Sequence, residues 1–172
     1  KSSAPRVFWN DSATKRVASV CRSRTLDDGS ALKPEPRSLK PAGEKAEAAG
    51  VRLVLRHEAP ASAVFDPVHL ARAIDNLLDN AVRHAPRGGE VVLAAAQPDA
   101  RTLALCVDDD GAGVPESLQA SLFEPFATGR ADGTGLGLAL AREVALAHGG
   151  ELRHLPLAPG TRFELELPWR TS

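Results

Sequence analysis

Two asparagines four residues apart, Asn76 and Asn80, and two glycine-rich stretches further along, Asp109-Asp110-Gly111-Ala112-Gly113 and Gly133-Thr134-Gly135-Leu136-Gly137, have residue types and spacing suited to chemistry. The asparagines fall in a helical run, Leu70 to His84, in which Ile74, Leu77, Leu78, Ala81 and Val82 supply a core-facing stripe. Both amides therefore share one face of a helix. An amide oxygen from Asn80 together with phosphate oxygens makes a sensible Mg²⁺ sphere, because Mg²⁺ wants hard oxygen ligands and keeps several waters. Glycines where a helix opens let backbone N–H groups approach an anion with no Cβ in the way, and the helix dipole favours negative charge there. The second stretch, opening a helix expected from about Gly135 to His148, is thus a phosphate site in outline. Asp109 can accept a hydrogen bond from an exocyclic amine, and a carboxylate discriminates against a base that offers a carbonyl instead.

Each motif also has a plainer reading. A Gly-rich loop beside a strand is often just a turn, and a buried Asn can cap a neighbouring loop. The run Asp108-Asp109-Asp110 reads as a solvated acidic turn, which we keep for Asp110; three like charges together require that some point to water or to a cation. Arg83 has a competing role as a solvated cation in the last turn of its helix. Phe123 and Phe126, flanking Pro125 after Glu124, read as core packing.

The elements that must hold these residues follow from local pattern. Helix is expected from Pro41 to Ala49, with Gly50 as its cap. Strands are expected at Val51 to Leu55, Val64-Phe65, Glu90 to Gln97 and Thr102 to Val107, the last two joined by a turn at Pro98-Asp99. Asp66 is the expected N-cap of the asparagine helix, with Pro67 at its first position. The helix that follows Gly135 carries Leu138, Ala141, Val144 and Ala145 inward and stops at Gly149-Gly150. Glu151 to Leu155 and Thr161 to Leu167 close the sheet, the latter alternating Phe163, Leu165 and Leu167 against Arg162, Glu164 and Glu166. The expected fold is α+β, a two-layer α/β sandwich with helices on one face of a mixed sheet.

Asn76-x-x-x-Asn80, Asp109-x-Gly111-x-Gly113, Phe123-x-x-Phe126 and Gly133-x-Gly135-x-Gly137 resemble, in order and spacing, the four motif boxes of the ATP-binding catalytic domain of bacterial two-component sensor histidine kinases, a Bergerat-type fold. The resemblance covers roughly Val51 to Trp169. It implies ATP and Mg²⁺ as cofactors, with Asn80 as metal ligand and Asp109 reading the adenine amino group. Asn76, Arg83 and His84 would face the phosphates, with Asn76 and Arg83 in catalytic roles. Gly111, Gly113, Phe126, Thr134, Gly135, Leu136 and Gly137 would line the nucleotide. Between Ala127 and Asp132 it implies a short mobile lid, in which Arg130 could approach the γ-phosphate.

It further implies residues 1–40 as a tail or linker, with a short helix near Thr14 to Arg24 as a remnant of the preceding dimerisation helix, and residues 41–172 as the catalytic domain. The implied partners are the dimerisation and phosphoacceptor domain of the same kinase and a response regulator. The family's acceptor histidine lies in a helical context ending in a basic residue and proline. Arg56-His57-Glu58-Ala59-Pro60 lacks the basic residue and ends a strand, so His57, His69, His148 and His154 read as packing or surface residues, and the acceptor is expected outside this chain. Alternatives are a hydrolytic ATPase of the same superfold and a non-catalytic nucleotide-sensing or partner-binding module. The hydrolytic relatives carry a Glu where this sequence has Asn76, and a carboxamide does not activate water.

The 172 residues, 43% of them apolar, suffice for one core. A net charge of −1 gives no reason to expect nucleic acid or an anionic membrane as partner. Cys21 and Cys106 are too few for a disulfide framework and lack metal-ligand spacing, which leads us to expect a reducing, cytoplasmic setting. No apolar run approaches the ~18 residues of a membrane span. The lack of an initiator Met leads us to expect a fragment, with any membrane anchor outside it.

Overall fold

The computed structural model describes residues 39–57, 67–127 and 134–169. Helix α1 (Leu39–Ala49) buries Leu39, Ala42, Gly43 and Ala46, the i, i+3, i+4, i+7 stripe of an amphipathic helix. It begins two residues before the expected Pro41, because Leu39 is itself part of the core. Its end is fixed by Gly50 at φ +70°, where the Gly50 N–H bonds to the Glu47 carbonyl and the Val51 N–H to the Ala46 carbonyl at 3.0 and 2.8 Å. Those two bonds satisfy carbonyls that the helix leaves open, and the left-handed conformation they need is one that glycine adopts without a Cβ penalty.

Strand β1 (Arg52–His57) leads to α2 (Pro67–His84), which starts at the expected proline. Then come β2 (Glu90–Asp99), β3 (Thr102–Asp109), the short α3 (Glu116–Gln119), α4 (Gly137–Ala147), β4 (Glu151–Pro156) and β5 (Thr161–Pro168). The strands form a mixed sheet in the order β1-β2-β3-β5-β4, in which β1 and β2 are parallel and the other neighbours antiparallel. Helix α2 packs on β2 and β3, and α1 and α4 flank it. The core lies between the layers. Leu70, Ala73, Ile74, Leu77, Leu78 and Ala81 of α2 meet Val91, Leu93, Leu103, Leu105, Phe163 and Leu165 of the sheet. Burying each large side chain contributes roughly 1.5–3 kcal/mol. Leu77, 1% exposed within this layer, is one position where truncation to Ala should cost about 2–5 kcal/mol.

Two local expectations shift. Strand β2 continues through Pro98 to Asp99 instead of turning there, because the register with β3 slips between Ala96 and Asp99, and a slipped pairing is where a strand tolerates a residue without an N–H. The reversal falls on Ala100 and Arg101, where Asp99 accepts the Arg101 N–H at 2.7 Å and the Thr102 hydroxyl at 3.0 Å. Helix α4 starts at Gly137, two residues later than expected, because Gly135 is held in a left-handed turn. The expected strand at Val64-Phe65, the Asp66 cap and the helix near Thr14 to Arg24 lie outside the described residues. None of the described helices is long and apolar enough to cross a membrane.

Candidate functional site

The three consecutive aspartates at the end of β3 separate into three roles. The pleat turns Asp108 to the uncovered face of the sheet, where Arg162 of β5 donates to both of its oxygens at 2.7 Å. Asp110, expected to be solvated, is instead half-buried, and its Oδ2 accepts the Glu90 N–H at 3.0 Å. Asp109 points inward and is 4% exposed. Its Oδ1 accepts the Gly111 N–H at 2.9 Å, a bond within its own loop. Burial pushes this carboxyl up to about 6, reinforced by the charges of Asp110 and Asp108 and opposed by the Gly111 bond. A buried carboxylate with so little internal compensation is a functional-site candidate.

The loop after Asp109 is wedged between two other elements. A Cβ on Gly111 would lie 2.6 Å from the carbonyl oxygen of His84, so the close approach to the end of α2 requires glycine. A Cβ on Gly160, before β5, would overlap the Asp109 carbonyl oxygen. Beside it Thr161, also 4% exposed, pairs with Asp109 in the β3–β5 register. Sequence reasoning passed over Thr161. The signal was present: it opens the alternation that points Phe163, Leu165 and Leu167 inward, which makes it a polar side chain on the apolar face.

On the other side, α2 packs on α4. A Cβ built on Gly137 would stand 3.7 Å from Asn76 Cβ and Oδ1, so the first asparagine is brought to the opening of α4. Asn80 lies one turn further along α2, half-buried like Asn76. The α4 N-cap, Leu136, makes no side-chain cap bond, although its N–H reaches Thr134 Oγ1 at 3.4 Å. The first turn of α4 therefore presents N–H groups that lack a side-chain acceptor among the described residues.

Gly135, at φ +64°, fits tightly under the backbone of Phe126, whose N–H donates to the Gly135 carbonyl at 3.0 Å. Phe126 is itself left-handed at φ 66° and 74% exposed, a costly arrangement for an aromatic residue and one associated with functional sites. Phe123 turns the other way, edge-on to Phe163 with centroids 6.3 Å apart and beneath the Arg142 guanidinium. Phe123 is thus a packing anchor, while Phe126 is presented to solvent.

Arg83 and His84 are exposed in the last turn of α2, and Arg83 also borders a cleft with Lys45 of α1 and Asp79. Arg130 and almost all of the expected lid lie outside the described residues. The remaining acidic pair on α2 belongs to the α1 side. Asp79 is bonded to Lys45 at 2.6 and 2.7 Å, and burial followed by the Asp79 charge pushes Asp75 up to about 6. His57 ends β1, as expected. Burial, then the neighbouring Glu164 charge, pushes the Cys106 thiol up to about 12, so it stays protonated and unreactive. Among the described residues no cluster of three or more His, Cys, Asp or Glu could hold a metal ion unaided.

Comparison with known proteins gives a consistent picture. A family model described as histidine kinase-, DNA gyrase B- and HSP90-like ATPase matches residues 65–171. The chain is 42% identical over 132 residues to the alginate biosynthesis sensor protein KinB of Pseudomonas aeruginosa, a match covering 74% of this chain and 22% of that protein. It thus spans about a fifth of the length of that relative. Among solved structures, a mycobacterial sensor histidine kinase MprB superposes with a TM-score of 0.67 at 31% identity, covering 78% of this chain and 95% of that one. Full-length ShkA in complex with AMPPNP gives a TM-score of 0.67 at 29% identity, over 78% of this chain and 30% of that one.

Proposed function

The chain belongs to the histidine kinase-, DNA gyrase B- and HSP90-like ATPase family, and from that premise we propose that it is the catalytic domain of a sensor histidine kinase, binding Mg-ATP and presenting the γ-phosphoryl to a histidine on a dimerisation domain outside this chain. A response-regulator aspartate would then receive the phosphoryl group. The observation that carries this reading is Asp109: buried, raised in pKa by that burial, and hydrogen-bonded only within its own loop among the bonds the structure records.

The donor set fits the cofactor. Asp109 accepts the exocyclic amine of adenine, which guanine lacks at that position, and Gly111 and Gly113 keep the base-side loop low. The open N–H groups of Gly137 and its neighbours, with Thr134 and Leu136 at the entry, receive phosphate oxygens. Asn80 would offer a hard amide oxygen to Mg²⁺, an ion that favours oxygen ligands and would neutralise phosphate charge there. Bound Mg-ATP supplies the transferable phosphoryl and the metal charge that offsets negative charge in transfer. Asn76 orients the phosphates from the α4 side. The chain's contribution is positioning and charge neutralisation, with the nucleophile arriving on the acceptor histidine.

Hydrolysis by this chain alone is disfavoured by placement as well as by residue type. Asn76 cannot act as a base, and the nearest carboxylates on its helix, Asp75 and Asp79, sit on the Lys45 side. Calorimetry should find Mg-dependent ATP binding with GTP weaker by tenfold or more. Equal affinity for the two nucleotides would remove Asp109 from the site. Asn80→Ala should abolish most of the Mg²⁺ dependence while leaving adenosine binding, and Mg²⁺ dependence that survives the change would exclude Asn80 as ligand.

A further inference from the structure

Asp110 has no part in the chemistry above, yet it is bound into the frame around Asp109. Its Oδ2 accepts the N–H of Glu90, the first residue of β2, and its Oδ1 is buried without a hydrogen-bond partner among the described residues. Room for this carboxylate exists because residue 89 is glycine: a Cβ there would lie 2.5 Å from Asp110 Oδ1 and 2.8 Å from the Pro86 carbonyl oxygen. The Gly88-Gly89 turn follows α2 after Ala85, Pro86 and Arg87, so Asp110 ties the loop after β3 to the segment that leaves the asparagine helix. The close approach of Gly111 to the His84 carbonyl is a second tie between the same two elements. Asp109 lies one residue before the first of these ties, with its own side chain bonded only to Gly111 among the bonds the structure records.

We propose that Asp110 is a positioning residue for base recognition: it latches the loop after β3 onto the Gly89-Glu90 backbone and so holds Asp109 in register with the helix that carries Asn76 and Asn80. The inference rests on the ATP-site reading given above. Asp108 on its own strand also bears on Asp109's charge; Arg162 of β5 pairs with Asp108, and the His84 backbone at the end of α2 meets Gly111. Asp110 adds a like charge that opposes ionisation of Asp109. Removing that charge while keeping an acceptor oxygen should therefore extend base recognition to lower pH.

The test compares ATP binding by the full chain, its Asp110→Ala and its Asp110→Asn variants, measured by calorimetry from pH 5 to pH 8. The Ala variant should bind about tenfold more weakly at pH 8, since the Glu90 N–H loses its partner and the loop is released. The Asn variant should recover all but about twofold of that loss, and its binding should persist to lower pH than that of wild type. The nucleotide's own titration is common to all three proteins and cancels. An Ala variant that binds like wild type overturns the proposal. Should the Ala variant fail to fold, a folded Asn variant that binds about tenfold more weakly at pH 8 overturns it equally, since it keeps an acceptor for the Glu90 N–H. Wild-type protein that does not bind ATP would instead overturn the site reading itself, and this inference with it.

Discussion

At Gly111 a Cβ would come within 2.6 Å of a backbone oxygen of His84, whereas at Gly137 the nearest atoms among the described residues, all of Asn76, stand 3.7 to 3.8 Å away. The two glycines lie on opposite sides of the candidate site and answer to different demands. Gly111 is required by the fold, because backbone must pass close to backbone there. Gly137 is not, since ordinary van der Waals space is open above it; what a side chain would obstruct is an anion approaching the start of α4. Gly135 sides with Gly111 in its steric demand, a Cβ there lying 2.5 Å from the Phe126 backbone. Its left-handed backbone and its contact with Phe126 make it structural, yet what it holds in place is the exposed Phe126 at the rim.

This contrast can be broken or sharpened by substitution, ranked by effect on stability. Gly111→Ala should destabilise by about 3 kcal/mol, since neither the helix end nor the loop can easily retreat, lowering the melting temperature by roughly 10 °C. A shift of under a degree in calorimetry would show that the two backbones are not locked. Gly135→Ala should cost about 2 kcal/mol from the positive φ and the Phe126 contact, and hydrogen exchange at the Phe126 amide should accelerate. Protection there that is unchanged would remove Gly135 from the structural class.

Asp109→Asn sharpens the same division from the carboxylate side. The folded-state pKa is raised from 3.8 to about 6, so Asp109 favours the folded state fully only below its unfolded pKa and loses that contribution as pH rises through about 6. The Asn variant should accordingly be more stable than wild type at pH 7, by on the order of 1 kcal/mol once solvent screening is allowed for, and equal to it near pH 3. It should also lose selectivity for ATP over GTP. A variant less stable than wild type at pH 7 would mean that the buried charge is better compensated than its recorded bonds indicate. Gly137→Ala should change stability least, by under about 0.5 kcal/mol, while weakening ATP binding about fivefold. Loss of fold without a specific loss of binding would collapse the distinction between the two glycines.

Much of this site was legible along the chain because its signals are local. The helix of Asn76 and Asn80 announced itself through its apolar stripe, and Gly50 and Pro67 marked helix ends through their own backbone restrictions. The four spaced motifs together carried the family resemblance that the comparisons bear out. The shortfalls also have physical causes. Pro98 signals a turn locally, but a register slip against β3 let the strand run through it. Thr161 was visible only to a reading that asked which face of β5 each residue takes.

The sequence by itself determined the element order, the shared face of the two asparagines and the placement of glycine where backbone must turn, since each depends on periodicity or on a single residue's allowed dihedrals. Only the tertiary structure decided how Asp108, Asp109 and Asp110 divide their work. Alternation along β3 separates Asp109 from its neighbours, but nothing within the run says which carboxylate is compensated. Asp108 finds Arg162, 54 residues later, and Asp110 finds the Glu90 N–H, 20 residues earlier. Asp109 is left buried with a bond to its own loop, because among the described residues the strands and helix end around it bring backbone, apolar side chains and Thr161 to that place and no paired cation.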